Sequence, residues 1–337
     1  MKRNMKQWTW GMIHNPKKKA MPVLSFPVIQ LLDITVKELI SSSDLQAKGM
    51  KMVADKTNSA AAVSLMDLSL EAESFGSEIR FSDEEVPTVI GSIVSNEEEA
   101  EDLRIPEIGS GRTSIYIEAI EKAVKIIEDR PVLAGTIGPF ALAGRLLGVT
   151  DAMIYCYEEP DMVHIVLEKV TKFLIKYAKE YKRVGANGIV MAEPLAGLLS
   201  PELAKEFSAD YVKRIVNEVQ DNEFIVVYHN CGNSTIQQID SIIGTGSPFL
   251  HFGNAVNMAE VMPHIPSHVI AAGNVDPAGQ FRNGTAESIK KATLSVLNAC
   301  SKYPNFVISS GCDIPPLSKW KNINTFFETV DAYYSRP

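Results

Sequence analysis

The chain has 337 residues, 45% of them hydrophobic and 22% charged, an ordinary soluble composition with room for one large α/β domain or two smaller ones. Its net charge of −8 argues against a nucleic acid or an anionic membrane surface as the main partner. The longest apolar runs are strand-sized, far below the ~20 residues of a membrane span, and the basic start Met1-Lys-Arg-Asn-Met-Lys6 is followed by no apolar segment of a secretory signal.

Short apolar runs alternate with helical patterns along almost the whole chain. Strands are predicted at 23–27, 61–67, 132–138, 188–193, 224–231, 248–254, 268–274 and 305–312. Between them, apolar residues recur at i, i+3, i+4 and i+7 over 114–128, 161–182, 201–219, 286–302 and 318–334, the period of amphipathic helices. Ser200-Pro201 supplies an N-cap serine and an N1 proline to the third of these. Eight near-continuous apolar strands alternating with helices call for a parallel closed sheet, a (β/α)8 TIM barrel of the α/β class. An open doubly wound sheet would carry a glycine-rich turn after its first strand, and no GxGxxG stands there. Gly109-Ser-Gly111 opens a helix without a strand immediately before it. Residues 71–109 break the repeat and read as a lobe inserted after the second strand, with the acidic run 97–99 as a solvated face. No long linker divides the chain, so one domain over 1–337 is expected.

Barrel enzymes place their chemistry at the carboxyl ends of the strands. Here those ends carry Asp67, the Gly138-Pro139-Phe140 turn, Glu193, His229 with Cys231, Asn254, Asn274 with Asp276, and Cys312 with Asp313. Residues i and i+2 of a strand share a face, so His229 and Cys231 reach one point together. Four cysteines at irregular spacing form no disulfide framework, which points to a reducing cytoplasm and free thiols. Two of those four end strands. Thiolates and imidazole suit Zn²⁺, and His229, Cys231 and Cys312 as ligands leave a fourth position open for a substrate. The fifth and eighth strands are expected on opposite walls, so that their ligands meet only near the axis at the mouth. Two thiolates and a neutral imidazole cancel the charge of the ion and keep a bound sulfur electron-rich. That favours alkyl transfer at sulfur over hydrolysis by zinc-bound water. Cys156 and Cys300 read as small buried hydrophobes. His251 is a conceivable fourth ligand, although it precedes the end of its strand.

The motifs His229-Asn-Cys-Gly-Asn233, Gly273-Asn-Val-Asp-Pro277, Gly311-Cys-Asp-Ile-Pro315 and Gly138-Pro-Phe-Ala-Leu-Ala143 together resemble the uroporphyrinogen decarboxylase superfamily. Within it they resemble the zinc-dependent methylcobamide:thiol methyltransferases, over nearly the whole chain. The resemblance implies one zinc on His229, Cys231 and Cys312. It also implies methyl transfer between a methylated corrinoid, carried by a separate corrinoid protein, and a small thiol. Glu193, Asp67 and Asn254 are then the candidate catalytic residues, and Gly138, Asn274 and Asp276 the candidates for contacting the cofactor. Two departures touch the thiol pocket. Gly253-Asn254 stands where the coenzyme M enzymes have an acidic residue, and Asp313 stands where they have glycine, which leaves the thiol open. The decarboxylase of the same superfamily, the competing reaction, uses an arginine-rich segment near its first strand. No arginine lies between Arg3 and Arg80 here, so a polyanionic tetrapyrrole lacks its bidentate partners. Two further readings are demethylation of a substrate onto Co(I) corrinoid, and a zinc-stabilised barrel that only docks a corrinoid protein.

Overall fold

The structure, a computed structural model, describes residues 3–335. Among them lie β1 (Ala62–Val63), β2 (Glu78–Arg80), β3 (Thr88–Ile90), β4 (Val132–Ile137), β5 (Gly188–Ala192), β6 (Ile225–Asn230), β7 (Phe249–Phe252), β8 (Ile270–Val275) and β9 (Phe306–Ser310). Seven form one sheet in the order β1-β4-β5-β6-β7-β8-β9, every neighbouring pair parallel. This is the α/β barrel that the alternating pattern predicts.

The eighth wall is irregular. Residues 20–23 run between β9 and the chain leading into β1: Met21 N–H donates to Ile308 O (3.0 Å) and Ala60 N–H to Ala20 O (2.8 Å). The first strand, expected at 23–27, is therefore shifted toward the amino terminus. The prolines explain it. Pro22 and Pro27 have no N–H to give a ladder, and Phe26–Val28 turns into a single helical turn instead.

Both faces of the strands are buried, as a parallel sheet under helices requires. Along β6, Val226 and Tyr228 pack outward into the core beneath the helices. Ile225 and Val227 point inward, where they meet Leu133, Val190, Phe249, Ile270 and Val307. The alternation carries His229 inward as the next residue toward the mouth. A helix over Met5–His14, capped by the Asn4 side chain on Gln7 N–H, closes the other end. Its Met5 is fully buried and Trp8 stacks on Phe249 with ring centroids 6.2 Å apart. The sequence reading takes this stretch only as a non-signal start and misses the plug.

The lobe after β1 holds a short helix (Leu70–Ser74), the antiparallel hairpin β2–β3 and a second helix (Glu97–Asp102). Asn96 caps the latter, and Glu97, Glu98 and Glu99 sit in its first turn, where the helix dipole favours them. The helix predicted over 201–219 starts on Ser200 as expected, but a π-helical stretch (Lys205–Ala209) interrupts it before Asp210–Val219. Among the described residues no helix is long and apolar enough to cross a membrane.

Glu71, on the first lobe helix, is fully buried against β4. Its Oε1 accepts from Thr136 Oγ1 (2.8 Å) and Ile137 N–H (3.2 Å), while Oε2 has no partner. Burial outweighs those bonds and pushes its pKa from 4.5 up to about 7. The native state thus keeps a proton that the unfolded chain has already released. The stabilisation is complete below about pH 4.5 and is lost as pH rises through about 7. Urea unfolding at about pH 5 and about pH 8 is expected to differ by up to roughly 3 kcal/mol from this group. The Glu71→Gln variant should lose that difference.

Candidate active site

His229 and Cys231 reach the mouth of the barrel from the end of β6, and Cys312 from just beyond β9. The sheet order leaves only β7 and β8 between them, so the two ligand strands are not on opposite walls as expected. Adjacent loops bring the cysteines together. Gly253, after β7, lies against the Cys231 backbone so closely that a Cβ there would fall 2.4 Å from Cys231 Cβ and 2.5 Å from its Cα. Gly311 lies likewise against Asn254, 2.6 Å from its N and from its Cβ. The Gly253-Asn254 turn is therefore a bridge, touching the Cys231 segment on one side and the Cys312 segment on the other. Asn274 braces it from below, its Nδ2 donating to Gly253 O (2.8 Å) and Val256 O (2.6 Å). A Gly253→Ala chain is expected to lose about 1–3 kcal/mol, the usual result of overpacking, in urea unfolding.

The three candidate ligands interact directly. Cys231 and Cys312 are close enough to influence each other's ionisation, and His229 also acts on Cys312. Their interaction lowers the Cys231 pKa and, with burial, raises that of Cys312. His229 is 2% exposed, and its Nε2 has no hydrogen-bond partner. No group of three or more His, Cys, Asp or Glu among the described residues is spaced to hold a metal ion as it stands.

His251, the conceivable fourth ligand, has another place. It pairs in register with His229 on the neighbouring strand, and the two Nδ1 atoms are 2.7 Å apart. Its Nε2 is 2.7 Å from Ser309 Oγ, so both ring nitrogens are engaged. Burial, then the neighbouring His229, hold its pKa well below the usual histidine value.

The other predicted residues ring the mouth in different ways. Glu193 is fully buried and turns away from the interior. It accepts N–H bonds from Phe140 and Ala141 at the start of the helix Pro139–Leu147, and burial pushes its pKa up to about 8 despite them. Gly138 makes that approach possible: a Cβ on it would stand 2.5 Å from Glu193 Oε2. Asp67 is also buried and fully bonded. Arg112 Nη1 (2.5 Å) and Tyr116 OH (2.9 Å) donate to one oxygen, and Ser69 N–H and Oγ to the other. Asp276 caps the turn Pro277–Arg282 by accepting from Gly279 N–H (2.9 Å). Asn254 stands exposed on the bridging turn. Asp313, next to Cys312, has an oxygen without a partner, and desolvation followed by the Cys312 charge raises its pKa well above the carboxylate range.

Sequence reasoning misses Arg112, which lies behind Gly109-Ser-Gly111 and looks like loop. It also misses Ser309, which no pattern within its own strand singles out.

The sequence matches the uroporphyrinogen decarboxylase (URO-D) family over residues 18–333. It is 28% identical over 272 residues to a methylcobamide:CoM methyltransferase of Methanosarcina acetivorans, covering 79% of this chain and 78% of that protein. With a uroporphyrinogen decarboxylase of Coxiella burnetii it shares 27% identity over 263 residues, covering 74% and 70%. A methyltransferase from Methanosarcina mazei superposes with a TM-score of 0.84 at 21% identity, over 98% of this chain and 99% of that one. At that identity the superposition speaks for the fold.

Proposed function

This chain belongs to the uroporphyrinogen decarboxylase family, and on that premise we propose that it moves a methyl group between a methylcobamide, carried on a separate corrinoid protein, and a zinc-activated thiol. It is a methyltransferase, in keeping with the methylcobamide:CoM methyltransferase among its relatives. What supports the zinc and thiol part is a buried His229 nitrogen that has no hydrogen-bond partner, beside a turn that packs against both the Cys231 and the Cys312 segments. Two thiols and an imidazole are a donor set suited to Zn²⁺, so the residues fit the ion. His229, Cys231 and Cys312 would hold it. Zinc bound there supplies Lewis acidity that favours the ionised form of a substrate thiol.

In the reaction, a sulfur–carbon bond forms as the cobalt–carbon bond breaks, and the electron pair stays on the cobalt. The chain's own residues prepare the place for it. The bridging turn links the Cys231 and Cys312 segments, with Asn254 exposed at the mouth. Glu193 ties the Gly138 turn to the end of β5, and Asn274 supports the bridge beneath Asn254. We assign Asp67 a supporting part through Arg112, and Asp276 the capping of the loop beyond β8.

Two arginines are held internally, which weighs against decarboxylation of a polycarboxylate. Arg112 is committed to Asp67 and Glu73, and Arg282, beyond β8, to Glu85. Guanidinium groups paired internally do not receive substrate carboxylates.

Metal analysis of the purified protein is expected to give about one zinc per chain. Incubation with methylcobalamin and a panel of thiols, followed by cobalamin absorbance, should show demethylation with at least one thiol. Metal-free protein with full activity would overturn the reading.

A further inference from the structure

We propose that Met21, Ser309 and His251 form a one-way hydrogen-bond relay that fixes the tautomer of His229 and leaves its Nε2 bare. The inference rests on the zinc reading above in one respect only: the purpose of the bare nitrogen.

Proton accounting gives the direction. Met21 lies in the irregular wall, and its carbonyl takes the Ser309 hydroxyl at 2.7 Å. A carbonyl only accepts, so Ser309 O–H must donate to it. That uses the single hydroxyl proton. Toward His251 Nε2, 2.7 Å away, the serine oxygen can then only accept, and Nε2 of His251 carries a hydrogen. The remaining nitrogen of His251, Nδ1, faces His229 Nδ1 at 2.7 Å, and one of the two must donate.

Two arrangements satisfy that contact. In the first, His251 donates from Nδ1 as well. It is then a cation at 0% exposure, with His229, Ser309 and the Ser310 backbone as its neighbours and no carboxylate among them. His229 would also have to place any hydrogen of its own on Nε2, a buried atom that makes no hydrogen bond and has at best a weakly accepting sulfur nearby. In the second, His251 is neutral and accepts, and His229 donates from Nδ1. Every hydrogen then has an acceptor, and the only atom without a partner is a lone pair on His229 Nε2. The second arrangement strands neither a buried charge nor a buried donor. His229 is thus held in the form a metal requires, by neighbours that would never touch the metal themselves.

Strand register builds the relay. His229 and His251 are direct partners across β6 and β7, which puts their rings side by side. Val307 of β9 faces the barrel interior, so Ser309, two residues on, faces it too and reaches His251 across the lumen. His251 and Ser309 are positioning residues.

The test has two arms. In metal-free protein labelled with ¹⁵N-histidine, NMR is expected to show His229 with a protonated Nδ1 and an unprotonated Nε2. Hydrogen on Nε2 instead overturns the relay. In the second arm, zinc affinity is measured by competition with a chromophoric chelator. Ser309→Ala and His251→Phe should each bind zinc about 10–100-fold more weakly than the parent, while Ser309→Thr, which keeps the hydroxyl, should bind as the parent does. Parent-like affinity in both disruptive variants overturns the relay's supporting role. A parent that binds no zinc, yet shows the expected tautomer, overturns the metal reading and leaves the relay standing. Because the NMR arm uses the unaltered chain, a variant that fails to fold does not spare the proposal.

Discussion

Replacing Cys231 with serine is expected to leave the barrel folded while zinc and methyl transfer are lost together. The side chain lies beyond the last residue of β6 and is partly exposed, so the change removes one sulfur without opening a cavity. A serine oxygen does not supply the soft anionic donor that a thiolate does. Changes to residues that only support a ligand typically cost 10–100-fold, so loss of the ligand itself should exceed roughly 100-fold in the rate with the best thiol. The control is Cys300→Ser. That cysteine is fully buried at the end of the helix Ala286–Cys300, where burial pushes its pKa up to about 11, and its variant should keep zinc even if its stability falls. Metal content and the cobalamin absorbance assay on both proteins decide the matter. A Cys231→Ser protein that keeps zinc and activity would remove the basis of the functional reading.

The largest expected loss of stability lies elsewhere, in Arg112→Leu. Arg112 reaches Asp67, Glu73 and Ser69 at once and lies over the Phe81 ring, 5.1 Å from its centroid. Asp67 has no side-chain exposure, so removing its partner leaves a buried carboxylate without a countercharge. Breaking such a pair from one side costs about 3–5 kcal/mol, measured here by urea unfolding. The double variant Asp67→Asn with Arg112→Leu should be less damaged than the two single losses together, because no lone charge remains. An Asp67→Asn protein of parental stability that has lost methyl transfer would instead make Asp67 catalytic.

Much of this was legible in the sequence, for physical reasons. Strands buried on both faces have to be nearly continuous in apolar residues, and they alternate with helices whose apolar stripe recurs every three to four residues. That pattern gave the barrel and the inserted lobe. The candidate ligands stood out because cysteine is scarce and two of the four end such strands. What escaped depends on pairing between distant segments. The first wall was set too late because hydrophobicity does not tell which backbone N–H groups find partners, and prolines at 22 and 27 decide that question. His251 looked like a spare ligand because nothing within β7 reveals that it stands in register with His229. Arg112 and Asp67 lie in separate segments of unrelated pattern, and only the folded lobe brings them together.

The irregular wall at residues 20–23 is expected to be among the last parts of the barrel to close. Its bonds join the beginning of the described chain to Ile308 and Ser310, across nearly 290 residues of sequence. Contacts of such separation form late, because the entropy of closing so long a loop must be met before they contribute. During synthesis the barrel therefore stays unsealed until the ribosome has passed β9, and Met21 and Ser309 cannot meet before then. A nascent chain stalled short of that point would leave Ser309 without its Met21 acceptor and the wall beside β9 open.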